Sequence, residues 1–236
     1  MTDAAHDASH DASHDAAHHR GSHGEDAHGP QPGHPHSGVA RALNAVSLAF
    51  GRGAVATCVT DLALLTPADH VVDVGCGPGT AARVASRQCR RVTGVDPDPT
   101  SLRLARVLDS LRRRRNVQIV EGSAEALPLP DAGATVVWAI SSVHHWADPT
   151  AGLSEALRVL EPGGRVFLVE QLKDSGARGN RAHGLTDAEV KGVLDQAKAA
   201  GFTAVRRETH VAGRRTVAVV RGSRPGAAGR ETSPEL

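Results

Sequence analysis

His70-Val-Val-Asp-Val-Gly-Cys-Gly-Pro-Gly-Thr80 is the stretch on which the reading of this chain turns. Apart from Asp73, the run Val71 to Val74 is apolar and β-branched. It leads into glycines at alternate positions, Gly75, Gly77 and Gly79, so it reads as a buried strand entering a tight turn. Glycines there let the backbone take positive φ and approach a ligand closely, and the helix expected from Thr80 points its first amides into the same turn. A nucleotide-like ligand suits such a place. Dinucleotide sites, however, use G-x-G-x-x-G, whereas this chain has G-x-G-x-G with a carboxylate two residues before it.

Outward from that turn, strands and helices alternate. Arg91 to Asp96 reads as a second strand, with Asp96 at its C-terminal end, 21 residues beyond Gly75. A carboxylate there can accept from both hydroxyls of a ribose. Asp98-Pro99 is an N-cap and first-turn pair, opening a helix expected to bury Leu102, Ala105, Leu108 and Leu111. The cluster Arg112 to Arg115 at its end suits a helix C-terminus. Val117 to Glu121 and Thr135 to Ile140 are the third and fourth strands. Asp148-Pro149 repeats the cap signal, and Thr186-Asp-Ala-Glu189 is a capping box. The span Leu172 to Gly184 reads as a mobile loop. Phe202 to Val211 and Arg214 to Arg221 read as a terminal hairpin about Ala212-Gly213.

The run Asp73-Val-Gly-Cys-Gly-Pro-Gly-Thr80 resembles the first motif of the class I S-adenosylmethionine-dependent methyltransferases. Gly122-Ser-Ala-Glu-Ala-Leu-Pro resembles that family's adenine-side loop, with Ser123 where an acidic residue is usual. Leu160-Glu-Pro-Gly-Gly-Arg-Val166 resembles its fifth-strand signature. The likeness covers roughly residues 40 to 221. It implies an α/β, Rossmann-like three-layer sandwich whose seven-stranded, mostly parallel sheet has the order 3-2-1-4-5-7-6 and a C-terminal antiparallel hairpin. It also implies S-adenosyl-L-methionine as cofactor, held by Asp73, Gly75, Cys76, Gly77, Gly79, Asp96, Pro97, Ser123, Ala124 and Ser141. The stretch Ser141-Ser-Val-His-His-Trp146 falls where family members carry histidines facing the methyl acceptor. His144 and His145 are therefore the expected catalytic residues, as proton acceptors or orienting groups, with His144 slightly favoured.

Residues 1–38 differ in kind. They hold nine of the fourteen histidines and almost no large apolar side chain, so a disordered tail is expected. His6, His10, His14 and His18 stand four apart, a spacing able to chelate Ni²⁺ or Zn²⁺ adventitiously. No metal is assigned to the domain itself, expected over 39–221, and residues 222–236 are expected to form a second loose tail. Val39 to Leu65 reads as two helical pieces broken at Gly51-Arg-Gly53.

Several classes are disfavoured by composition. No apolar run approaches the ~20 residues of a membrane span, and no signal-peptide core is evident. Three cysteines without C-x-x-C spacing argue against a disulfide framework or zinc site and for a cytoplasmic protein. The excess of Arg over Lys points to a GC-rich bacterial genome. A nicotinamide oxidoreductase wants the longer glycine spacing and a donor such as Tyr, which is absent. Few aromatic platforms accompany the basic clusters, so nucleic acid is not an expected partner. The expected activity is methyl transfer to O, N or S of a small-molecule acceptor. The alternatives are an RNA or protein methyltransferase and a non-catalytic cofactor-binding protein.

Overall fold

A computed structural model describes residues 53–111, 115–174 and 183–226. The His-rich tail, the first of the two leading helical pieces, most of the arginine cluster, much of the Leu172 to Gly184 loop and the last ten residues lie outside the described residues. The elements are, in order, α1 (Gly53–Ala63), β1 (His70–Val74), α2 (Thr80–Ala85), β2 (Arg91–Asp96), α3 (Pro99–Leu111) and β3 (Val117–Glu121). They continue with β4 (Ala134–Ile140), a 3₁₀ turn (Val143–His145), α4 (Pro149–Val159), β5 (Leu160–Gln171), α5 (Asp187–Ala199), β6 (Thr203–Ala212) and β7 (Arg215–Ser223).

The seven strands form one sheet in the order β3-β2-β1-β4-β5-β7-β6, as the resemblance implies. Strands β1 to β5 pair in parallel, and β7 runs antiparallel to both β5 and β6. The alternation of side chains along each strand splits the apolar residues into two cores. Val72, Val137, Ala139, Val166 and Leu168 meet Leu153 and Ala156 of α4 and Val190 and Val193 of α5. Val71, Val136, Trp138, Phe167 and Val169 meet Val55 and Val59 of α1 and Ala82 and Ala85 of α2. Three layers follow from that division.

Caps fall where their residues are. Asp98 accepts from the N–H groups of Thr100 and Ser101, and Asp148 from those of Thr150 and Ala151. The capping box of Thr186 and Glu189 is complete. Among the described residues no helix is long and apolar enough to cross a membrane.

Two local expectations are corrected, and two element boundaries are fixed. Leu111 is exposed: the buried stripe of α3 runs through Leu102, Ala105 and Asp109, at intervals of three and four, and position 111 falls off it. The helix after Thr80 stops at Ala85, beyond which the Asn116 side chain donates to the carbonyls of Ser86 and Cys89. Strand β5 starts at Leu160, before its Pro-Gly-Gly, with a register shift opposite Ala134 to Val136. Finally, β7 runs past 221 to Ser223, and Arg224 exchanges backbone hydrogen bonds with Gly163 and Gly164, so the second tail cannot begin at 222.

Candidate functional site

The C-terminal ends of β1, β2, β3 and β4 converge, and the loops leaving them enclose a cavity of about 440 Å³. Ligands in open parallel sheets sit in this position. Of the residues singled out in the sequence, Gly75, Gly77, Asp96, Pro97, Ser123, Ala124, Ser141 and His145 line it. Asp73 and Cys76 do not; they line a smaller adjoining space of about 40 Å³ that shares Gly75 and Gly77 with the first. Gly79 and His144 line neither. Ser101, Glu125, Ser142 and Trp146 are also on the main wall; Glu125, Ser142 and Trp146 fall within the two loops marked in the sequence but were not singled out, and Ser101 lies in neither.

Backbone constraint shapes the glycine turn. Gly75 and Cys76 both donate to the carbonyl of Val95 at 2.8 and 3.0 Å, pinning the turn to β2. At Gly75 φ is +69°, and a Cβ would lie 1.9 Å from Ser142 Oγ. Only glycine lets the first and fourth strand exits approach this closely. The Cys76 thiol turns inward against Gly94, where burial pushes it well above its usual range.

Asp96 serves as a hinge between loops. Its Oδ2 accepts from Gly77 N–H at 2.7 Å and its Oδ1 from Asp98 N–H at 2.9 Å. Burial raises its pKa, and these two amides oppose the rise. Each oxygen keeps a lone pair, and the residue lines the cavity, so it can accept from hydroxyls of a ligand. On the other wall, Glu125 Oε1 accepts from Ala147 N–H at 2.8 Å and Asp148 N–H at 3.3 Å, tying the exit of β3 to that of β4.

Asp73 is buried in mid-sheet, paired across to Gly94 and Trp138. Its Oδ2 has no hydrogen-bond partner. Burial pushes its carboxyl up to about 7, opposed by the Trp138 indole and the Ala82 amide. A carboxyl raised in the folded state stabilises the fold at low pH and stops doing so as pH rises through its folded value. The ligand-free protein should therefore gain melting temperature on going from pH 8 to pH 6, and Asp73→Asn should remove this group's share of that gain. If the two proteins show equal pH dependence by thermal melting, the assignment to Asp73 fails.

At the exit of β4 the two histidines part. His145 is exposed on the cavity wall. His144 turns instead onto Glu170 of β5, its Nδ1 lying 2.8 Å from Oε2. The two rings stay 4.0 Å apart, centroid to centroid.

The family described as a methyltransferase domain matches residues 72–168. Over those residues the chain matches a methyltransferase domain of the S-adenosylmethionine-dependent kind. Over 113 residues, 47% of this chain, it is 34% identical to an O-methyltransferase of Pyrenophora dematioidea, of which 42% is covered. Over 134 residues, 55% of this chain, it is 35% identical to the 27-O-demethylrifamycin SV methyltransferase of Amycolatopsis mediterranei, of which 49% is covered. These alignments thus span less than half of each relative. Among solved structures, a SAM-dependent methyltransferase from Aquifex aeolicus superposes with a TM-score of 0.65 at 19% identity, covering 78% of this chain and 98% of that one. The [4+2]-cyclase SpnF superposes with a TM-score of 0.61 at 23% identity, over 72% and 81% of the two chains. At such identities the likeness concerns the fold alone.

The family's cofactor is S-adenosyl-L-methionine. Its chemistry suits what this domain presents. An unpartnered buried carboxylate oxygen suits a cationic end, Gly77 leaves open space beside the turn, and a carboxylate at the end of β2 suits the hydroxyls of a ribose.

Proposed function

We propose that this protein transfers a methyl group from S-adenosyl-L-methionine to O, N or S of a small molecule. The observation that carries this reading is the cavity at the ends of four parallel strands, with Asp96 and the glycine turn on one wall and His145 on another. In this reading Asp96 holds the ribose. The backbone of Gly75 to Gly79 cradles the methionine moiety, and Asp73 Oδ2 takes its ammonium. Ser123 and the Ala124 N–H meet the adenine, while Pro97 and Ser141 complete the walls. When bound, the cofactor supplies a methyl group on a sulfonium that leaves as a neutral thioether. The chain's own contribution is chiefly positional: holding an acceptor in line can lower the barrier by several kcal/mol, and removal of the acceptor proton by His144 or His145 adds a further factor.

The names of relatives that act on a rifamycin and on a hydroquinone support a small-molecule acceptor. Among the described residues, Cys58, Cys76 and Cys89 are free thiols, in line with a cytoplasmic setting. The arginine-rich composition is in line with a bacterial one. The test is binding of S-adenosylhomocysteine by calorimetry, followed by an acceptor screen with methyl-labelled cofactor. Absence of binding would end this reading.

Two dependences follow. Because the ammonium calls for an ionised Asp73, affinity should fall as pH drops below about 7, by up to tenfold per unit, and Asp73→Asn should bind weakly with that slope gone. Calorimetry from pH 6 to 8 checks both. Deleting residues 1–36, which carry the spaced histidines, should abolish retention on a nickel column and leave cofactor affinity unchanged. A large loss of cofactor affinity on deletion would contradict the tail's separateness.

A further inference from the structure

Glu170 lies at the C-terminal end of β5 and is 2% exposed. A carboxylate so deep must be matched on both oxygens. Its Oε1 accepts from the backbone N–H of Val143 at 2.9 Å, and its Oε2 faces Nδ1 of His144 at 2.8 Å. Both carboxylate oxygens are acceptors, so Nδ1 is the protonated nitrogen of His144 and Nε2 keeps the lone pair. One side chain thereby anchors the 3₁₀ turn that carries both histidines and fixes the tautomer of one.

We infer that Glu170 is a positioning residue for methyl transfer, holding His144 as the proton acceptor. This rests on the proposed function and goes beyond it by naming which histidine works and why. A general base needs a lone pair held in a set direction and a nearby charge that stabilises its protonated form. His144 has both. The His145 ring is on the cavity wall, and the His144 ring lies 4.0 Å from it, centroid to centroid. In the step, the acceptor's X–H proton passes to His144 Nε2 while the electron pair of that bond takes up the methyl group. The imidazolium so formed is balanced by the Glu170 carboxylate and later gives its proton to water.

The test uses the full chain and Glu170→Gln, which keeps the shape and loses the charge. With the acceptor identified by the screen, turnover should fall roughly 10- to 100-fold, the scale set by outer partners of working histidines, with affinity for S-adenosylhomocysteine within about twofold of wild type. In the ¹⁵N spectrum of the labelled wild type, His144 should carry its proton on Nδ1, and Glu170→Gln should lose that preference. Glu170 also holds Val143, so a double-mutant cycle separates the roles. In a His144→Ala background Glu170→Gln should cost less than about twofold, whereas a merely structural Glu170 would cost as much in both backgrounds. Should Glu170→Gln fold poorly, Glu170→Asp, too short to hold Val143 and His144 together, takes its place in the same cycle. Turnover of Glu170→Gln within twofold of wild type, equal costs in the two backgrounds, or a wild-type His144 protonated on Nε2 would overturn the inference while leaving cofactor binding, and hence the proposed function, standing. If S-adenosylhomocysteine does not bind the wild type, the proposed function falls instead, and this inference with it.

Discussion

Replacing His144 with alanine is expected to lower turnover by roughly 10²- to 10⁴-fold, the range of a lost general base, while cofactor affinity stays close to wild type. The expectation has two supports. His144 is held by a buried carboxylate, and it lies outside the wall of the cavity that would hold the cofactor, so its loss should touch chemistry more than binding. His145→Ala should behave differently. That ring forms part of the wall, so its removal should raise the KM for the acceptor or weaken cofactor binding with a smaller fall in kcat. Steady-state kinetics of the two single variants and the double, beside calorimetry with S-adenosylhomocysteine, decide the matter. Full turnover in the double variant would mean that alignment alone drives the reaction.

Asp96→Ala is expected to weaken S-adenosylhomocysteine binding by roughly 10- to 150-fold, corresponding to about 1.5–3 kcal/mol for a charge-assisted acceptor. The geometry adds a second route to that loss. Asp96 Oδ2 also holds Gly77 N–H, so alanine frees the glycine turn as well as removing the contact to the ribose. A ligand lacking the ribose hydroxyls separates the two: Asp96→Ala should cost the 2′,3′-dideoxy analogue only the turn's share. Wild-type affinity for S-adenosylhomocysteine in Asp96→Ala would refute the ribose assignment.

Both predictions start from residues visible in the sequence, yet they differ in how far the sequence carried them. Asp96 could be placed because its position is local: a β-branched run ends at it, a capped helix begins after it, and the glycine turn precedes it by a fixed interval. The slight preference for His144 over His145 had no partner in view. That partner, Glu170, lies 26 residues away and carries no motif. Likewise, nothing near Glu125 announced that its carboxylate would reach the amides of Ala147 and Asp148.

By itself the sequence determined the alternation of strands and helices, the glycine turn, the caps at Asp98, Asp148 and Thr186, and the family whose sheet order the chain adopts. These are local matters, settled by side-chain periodicity, φ preference and hydrogen bonds spanning two to four residues. Tertiary structure alone decided which loops face one another. It set Ser142 against Gly75, turned Asp73 into its own small space with one oxygen unpartnered, and separated His144 from the cavity wall. The physical reason is that β1, β4 and β5 are neighbours in the sheet but distant in the chain. Contacts between their exits depend on strand register and twist, and no residue pattern within a single segment records those.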